Sequence, residues 1–107
     1  TETPIKYGKF IMNGGAISSN TANQGGGVYA SGGTFNMNGS ASITSNTVNG
    51  VYVHNNATFT VSGSPTVTGN KNASDAASNV FLAGSKTITI GGELTGSPNS
   101  IGVTRGA

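Results

Sequence analysis

GTFNMNGSASITSNTVNGVYV (Gly33–Val53) decides the fold, because most of the remaining chain is this stretch rewritten with substitutions. Before it stands GKFIMNGGAISSNTANQGGGVYASG (Gly8–Gly32), and after it come NATFTVSGSPTVTGNKNASDAASNVFLAG (Asn56–Gly84) and SKTITIGGELTGSPNSIGVTRGA (Ser85–Ala107). The units 8–32, 33–55, 56–84 and 85–107 are read as four turns of one repeat.

Three segments recur within each unit. The first carries an apolar anchor, Phe10, Phe35, Phe59 and Ile88, and a second apolar residue two positions on, Met12, Met37, Val61 and Ile90. A glycine follows two positions later, at Gly14, Gly39, Gly63 and Gly92. Alternation with period two closed by a glycine predicts a short strand ending in a sharp bend. The second segment centres on Ile17, Ile43, Val67 and Leu94. Three residues after each centre come Asn20, Asn46, Asn70 and Ser97, where a short polar side chain satisfies the backbone of a corner. Stacked copies predict an asparagine ladder. The third segment is Val28–Ala30, Val51–Val53, Val80–Leu82 and Ile101–Val103. With its outer residues inward, its middle residues form an outward column of Tyr29, Tyr52, Phe81 and Gly102. Lys6, in a preceding Ile5-Lys6-Tyr7, stands at the head of that column.

Repeats of this length, with three short strands each, predict an all-β chain folded as a right-handed parallel β-helix of about four turns. One turn cannot bury its own apolar face, so each pairs with the next at about 4.8 Å. An antiparallel sandwich fits less well, because Asn13-Gly14 and Asn38-Gly39 recur at one phase only, whereas a meander needs a reversal after every strand. Length variation is read as confined to the corner between the second and third segments. There 71–79 is expected to project as a loop, where the second turn has only 47–50.

The repeated spelling resembles that of large bacterial surface and autotransporter-type proteins. Gly14-Gly15-Ala16-Ile17, with Phe10–Asn13 and Phe35–Asn38, is similar to the GGAI and FxxN motifs of the chlamydial polymorphic outer-membrane protein repeats. Phe59–Ser62 and Ile88–Gly91 depart from the second motif. The resemblance implies a right-handed parallel β-helix serving as an adhesin-like stalk or passenger segment, on a bacterial surface or secreted. The 107 residues then form a single segment of a longer repeat array.

Composition bounds the chemistry. Charged residues make up 7% of the chain, against about a quarter in ordinary soluble domains, and Asn, Ser, Thr and 18 glycines carry the polarity. A formal net charge of +2 is too small to predict nucleic-acid binding. There is no cysteine, so neither disulfides nor thiol chemistry contribute. No window approaches the roughly 20 apolar residues of a membrane helix, and the opening TETPIKYGKF lacks the apolar core of a signal peptide, so membrane insertion by this segment is not expected.

Catalysis on a β-helix needs clustered carboxylates, and the acids here are Glu2, Asp75 and Glu93, scattered over a terminus, a loop and a strand. His54 has no ligand-type neighbour at metal spacing and is expected at an exposed corner, so neither metal nor cofactor is predicted. The expectation is a non-catalytic binding module contacting a glycan or a cell-surface protein through Lys6, Tyr29, Tyr52 and Phe81. The alternative is a segment of a polysaccharide-degrading β-helix enzyme whose catalytic residues lie elsewhere. Solenoids also need covered ends, and no polar cap flanks the pattern, so end-to-end self-association is expected.

Overall fold

The computed structural model describes residues 8–84, 86–95 and 101–105. Nine strands and no helix occur among them: β1 (Lys9–Met12), β2 (Ala16–Ser18), β3 (Val28–Met37), β4 (Ser42–Thr44), β5 (Val51–Gly63), β6 (Thr66–Thr68), β7 (Val80–Leu82), β8 (Ile88–Leu94) and β9 (Val103–Arg105). All strand pairs are parallel. One sheet runs β1-β3-β5-β7-β9 with β8 also on β5, and the other runs β2-β4-β6. The chain is a parallel β-helix of about four turns.

The repeat rows are the pairing rows. Phe10 pairs with Phe35, Phe35 with Phe59 and Phe59 with Ile88, while Met12, Met37, Val61 and Ile90 form the next inward row. Ile17, Ile43 and Val67 stack across the smaller sheet. Between the sheets lies a core in which Phe59, Met37, Ile43, Val53 and Val67 are fully buried. The three Phe rings stack at 5.1 and 5.2 Å. Identical side chains one strand spacing apart place like surfaces in contact, which holds the register.

The segments join differently from the sequence pattern. The third segment of one turn runs on into the first segment of the next, so β3 and β5 each span both, with a bulge between Ala30 and Gly32 marking the bend. In the last turn this long strand is divided into β7 and β8.

The expectations for Gly92, for Leu94 and for 101–103 in the last turn are corrected, Gly92 because Leu94 stands in the row of Gly63. Leu94 pairs with Gly63, and Ile101 takes the place predicted for Leu94 beside Val67. The cause is an irregularity in β8: Gly91, Gly92 and Glu93 together span the step that Ser62 alone makes in β5. Val80–Leu82 pairs with Val103–Arg105, not with 101–103, so the outward column continues to Thr104 and Gly102 falls in another row. Ser97 lies outside the described residues; among those described, the rung after Asn70 is Asn79.

That ladder closes one corner of the helix. Asn46 Oδ1 accepts from the backbone N and Nδ2 of Asn20 at 3.0 and 3.1 Å. Asn70 Oδ1 accepts the same pair from Asn46 at 2.9 Å each, and Asn79 Oδ1 from Asn70 at 2.9 and 3.0 Å. Each of the first three amide groups also donates to the carbonyl two residues before it, so the buried corner leaves these groups paired.

Room for the ladder is made by glycine. Val28, Val51 and Val80 donate to the carbonyls of Gly50, Asn79 and Gly102, which places Gly27, Gly50, Asn79 and Gly102 in one row. A Cβ on Gly50 would stand 2.5 Å from Asn70 Nδ2, and one on Gly102 would stand 2.6 Å from Asn79 Nδ2. Asn79 is the one side chain in the row, and its carboxamide occupies the space that an asparagine of the following turn would otherwise take.

The insertion 71–79 projects as expected, with Ala73–Ala77 exposed. It is tightly made: Asn72 Oδ1 accepts from the backbone N of Ser74 and Ala76 at 2.8 and 3.0 Å, and Lys71 pairs with Asp75 at 3.1 Å. Its last residues return to the core, where Ser78 Oγ accepts from Asn49 Nδ2 at 2.7 Å.

Candidate ligand-binding surface

Alternation along β3, β5 and β7 builds the outward column. Ala30, Val51, Val53, Val80 and Leu82 are buried, which turns Tyr29, Tyr52 and Phe81 to the other face. Their register is direct, Tyr29 on Tyr52 and Tyr52 on Phe81. The rings stack at 5.0 Å for both pairs, with interplanar angles of 3° and 17°. The structure therefore brings together three of the four predicted contact residues. Lys6 lies outside the described residues.

Stacking also decides what the column can offer. Each Tyr52 face is turned to a neighbour, so the strip presents ring edges and phenolic oxygens, not a flat aromatic platform. Tyr29 differs. It heads the column among the described residues, one face is against Tyr52, and the residue is 43% exposed. A depression of about 310 Å³ lies beside it, lined also by Lys9, Phe10, Thr34 and Phe35. Phe10, which heads the second aromatic stack, is 46% exposed. The first described turn thus places two rings, each the first of its stack among the described residues, and a lysine around one concavity. Neither phenolic oxygen, of Tyr29 or Tyr52, has a protein partner among the described residues.

A second, polar depression of about 370 Å³ adjoins the ladder corner, lined by Ser45, Thr47, Lys71 and Asp75. The carboxylate there is already engaged by Lys71. No group of three or more His, Cys, Asp or Glu side chains converges among the described residues. No helix there is long and apolar enough to cross a membrane.

His54 departs from expectation. It is half-buried where β5 bends, and its Nδ1 is enclosed with no hydrogen-bond partner among the described residues. A proton on Nε2 leaves only a lone pair enclosed, which costs less than an orphaned N–H.

Two polar rows escaped the sequence reading. Asn38 Nδ2 donates to Asn13 Oδ1 at 3.0 Å and Ser62 Oγ donates to Asn38 Oδ1 at 2.8 Å, a short ladder at the glycine bend. Asn49 links Gly25 N to Ser78 across three turns. The signal for the first was visible: an Asn, an Asn and a Ser each stand just before the row glycine.

No protein-family model, curated protein or solved structure matches this chain.

Proposed function

We propose that this chain is a non-catalytic binding module of a bacterial surface or secreted protein, and that it contacts carbohydrate at the head of its aromatic column. The observation that carries the reading is the outward stack of Tyr29, Tyr52 and Phe81 ending in an open depression at Tyr29. The apolar C–H face of a sugar ring matches a free aromatic face, and Tyr52 adds a hydroxyl one turn away. The resemblance of the repeats to bacterial surface proteins supports the location.

A glycan array followed by titration of the strongest ligand tests this. Tyr29→Ala is expected to weaken binding about tenfold, the loss of one ring contact of roughly 1 kcal/mol or more, and Tyr52→Ala less. Unchanged affinity in both variants would remove the column as the site.

Self-association belongs to the same proposal. Ile11 on β1, Ile90 and Leu94 on β8 and Val103 on β9 are about half exposed, so the first and last described turns carry apolar side chains that a stacked copy would cover. A strict monomer by sedimentation at high concentration counts against it.

A further inference from the structure

We propose that Asn13 is a site of spontaneous deamidation, selected by the fold from the chain's three Asn-Gly pairs. These are Asn13-Gly14, Asn38-Gly39 and Asn49-Gly50. The reaction begins when the backbone nitrogen of the following glycine attacks the asparagine Cγ. A C–N bond forms, the Cγ–Nδ2 bond breaks, ammonia leaves, and a five-membered succinimide remains. Water then opens either carbonyl, giving aspartate or isoaspartate, with no change of oxidation state. Three things favour this: a glycine nitrogen free of other bonds, an unhindered approach, and a donor on Oδ1 to take up the charge that develops there.

The donor on Oδ1 is common to all three, from Asn38 Nδ2 at Asn13, from Ser62 Oγ at Asn38 and from Gly25 N at Asn49, so the sites are separated by the freedom of the glycine nitrogen, the hold on the departing amide and the approach. Asn49 is buried, its Nδ2 is held by Ser78 Oγ at 2.7 Å, and Gly50 N is committed to Ser78 O at 3.0 Å. At Asn38 the departing Nδ2 is held by Asn13 Oδ1, and the backbone of Gly63 packs on Gly39 so closely that a Cβ on Gly63 would come within 2.8 Å of Gly39 N. Asn13 and Gly14 are both exposed, and nothing lies within 4 Å of a Cβ position on Gly14. Among the described residues Asn13 Nδ2 and Gly14 N have no partner. Asn13 Oδ1 keeps its donor, Asn38 Nδ2 at 3.0 Å, which polarises the carbonyl under attack while the departing amide is unheld.

An aspartate formed there keeps its acceptor for Asn38, so the bend survives while the formal net charge falls from +2 to +1. The aspartate product is a charge change at the first glycine bend of the described residues that leaves the hydrogen bond from Asn38 in place.

The test is incubation of the folded chain at mildly alkaline pH, with peptide mapping by mass and by isoaspartate content. Asn13 is expected to convert first, Asn38 more slowly, and Asn49 roughly a hundredfold more slowly than Asn13, because it waits for local opening. In urea the three rates should converge. Gly14→Ala, which meets no neighbour and needs no left-handed backbone, should slow Asn13 by roughly tenfold with the thermal midpoint unchanged. Conversion of Asn49 in the folded chain as fast as Asn13, or an intact Asn13 beside a converted Asn38, would overturn the proposal.

Discussion

Phe10 and Phe35 occupy the same place in the repeat and differ only in which turn they belong to. Phe35 has a ring on each side and is 2% exposed, whereas Phe10 has one ring neighbour among the described residues and is 46% exposed. The same contrast runs through the molecule: Ile43 is fully buried and Ile17 only partly, and Val61 is buried while its row partner Ile90 is 57% exposed. A solenoid residue therefore takes its energetic weight from the turns on either side more than from its own chemistry.

The sharpest way to break this comparison is to truncate both rings. Phe35→Ala removes a side chain enclosed by Phe10, Phe59 and the core, and should cost about 3–5 kcal/mol in denaturant unfolding. Phe10→Ala should cost about 1–2 kcal/mol, since roughly half of that side chain is already in water. Equal losses would mean that the turns do not act through their neighbours.

The asparagine ladder sets the same contrast in polar terms. Asn70→Ala leaves the buried backbone N of Asn46 without its acceptor and removes one of the three acceptors of Asn46 Nδ2, an expected loss of about 2–3 kcal/mol. Asn20→Ala deletes an exposed side chain whose Nδ2 donates to the next rung and to Ser18, and water can replace both contacts. Its expected cost is below about 1 kcal/mol. Stability of the two variants measured side by side gives the difference directly, and a larger effect at Asn20 would mean that the corner is held from its first described rung.

The legibility of this fold follows the same division. Rows through Phe10, Phe35 and Phe59 could be read from the chain because stacking repeats residue type as well as spacing, and the asparagine corner repeats for the same reason. The last turn could not. Its irregular β8 moves Leu94 to Gly63 and brings Ile101 to Val67, and nothing in a period-two pattern marks how many residues an irregular strand absorbs. Asn79 was hidden differently. It fills the fourth rung from within the third turn, nine residues after Asn70, so a search at the repeat length passes over it. The row Gly27, Gly50, Gly102 held the clue, since Asn79 interrupts it one residue before a valine. At the candidate surface the column of Tyr29, Tyr52 and Phe81 was legible, but the orientation of the rings was not. Alternation fixes the face a side chain leaves from and leaves its torsion angles open.

The smallest effect is expected in the insertion, where one segment joins an exposed tip to a buried return. Asp75 sits at the tip with φ of 67° and pairs with Lys71, and both side chains are more than half exposed. Asn tolerates the left-handed backbone as Asp does, so Asp75→Asn removes the charge without straining the turn. An exposed ion pair four residues apart contributes at most about 0.5 kcal/mol, and the loss should shrink further as salt is added. Ser78 lies three residues on, is buried, and accepts from Asn49 at 2.7 Å. Ser78→Ala leaves that buried amide donor without its acceptor and should cost about 1–2 kcal/mol, independent of salt. A salt titration of both variants separates the two ends of the insertion. If Asp75→Asn proves the more damaging, the tip is anchored by charge and its exposed turn is part of the structural frame.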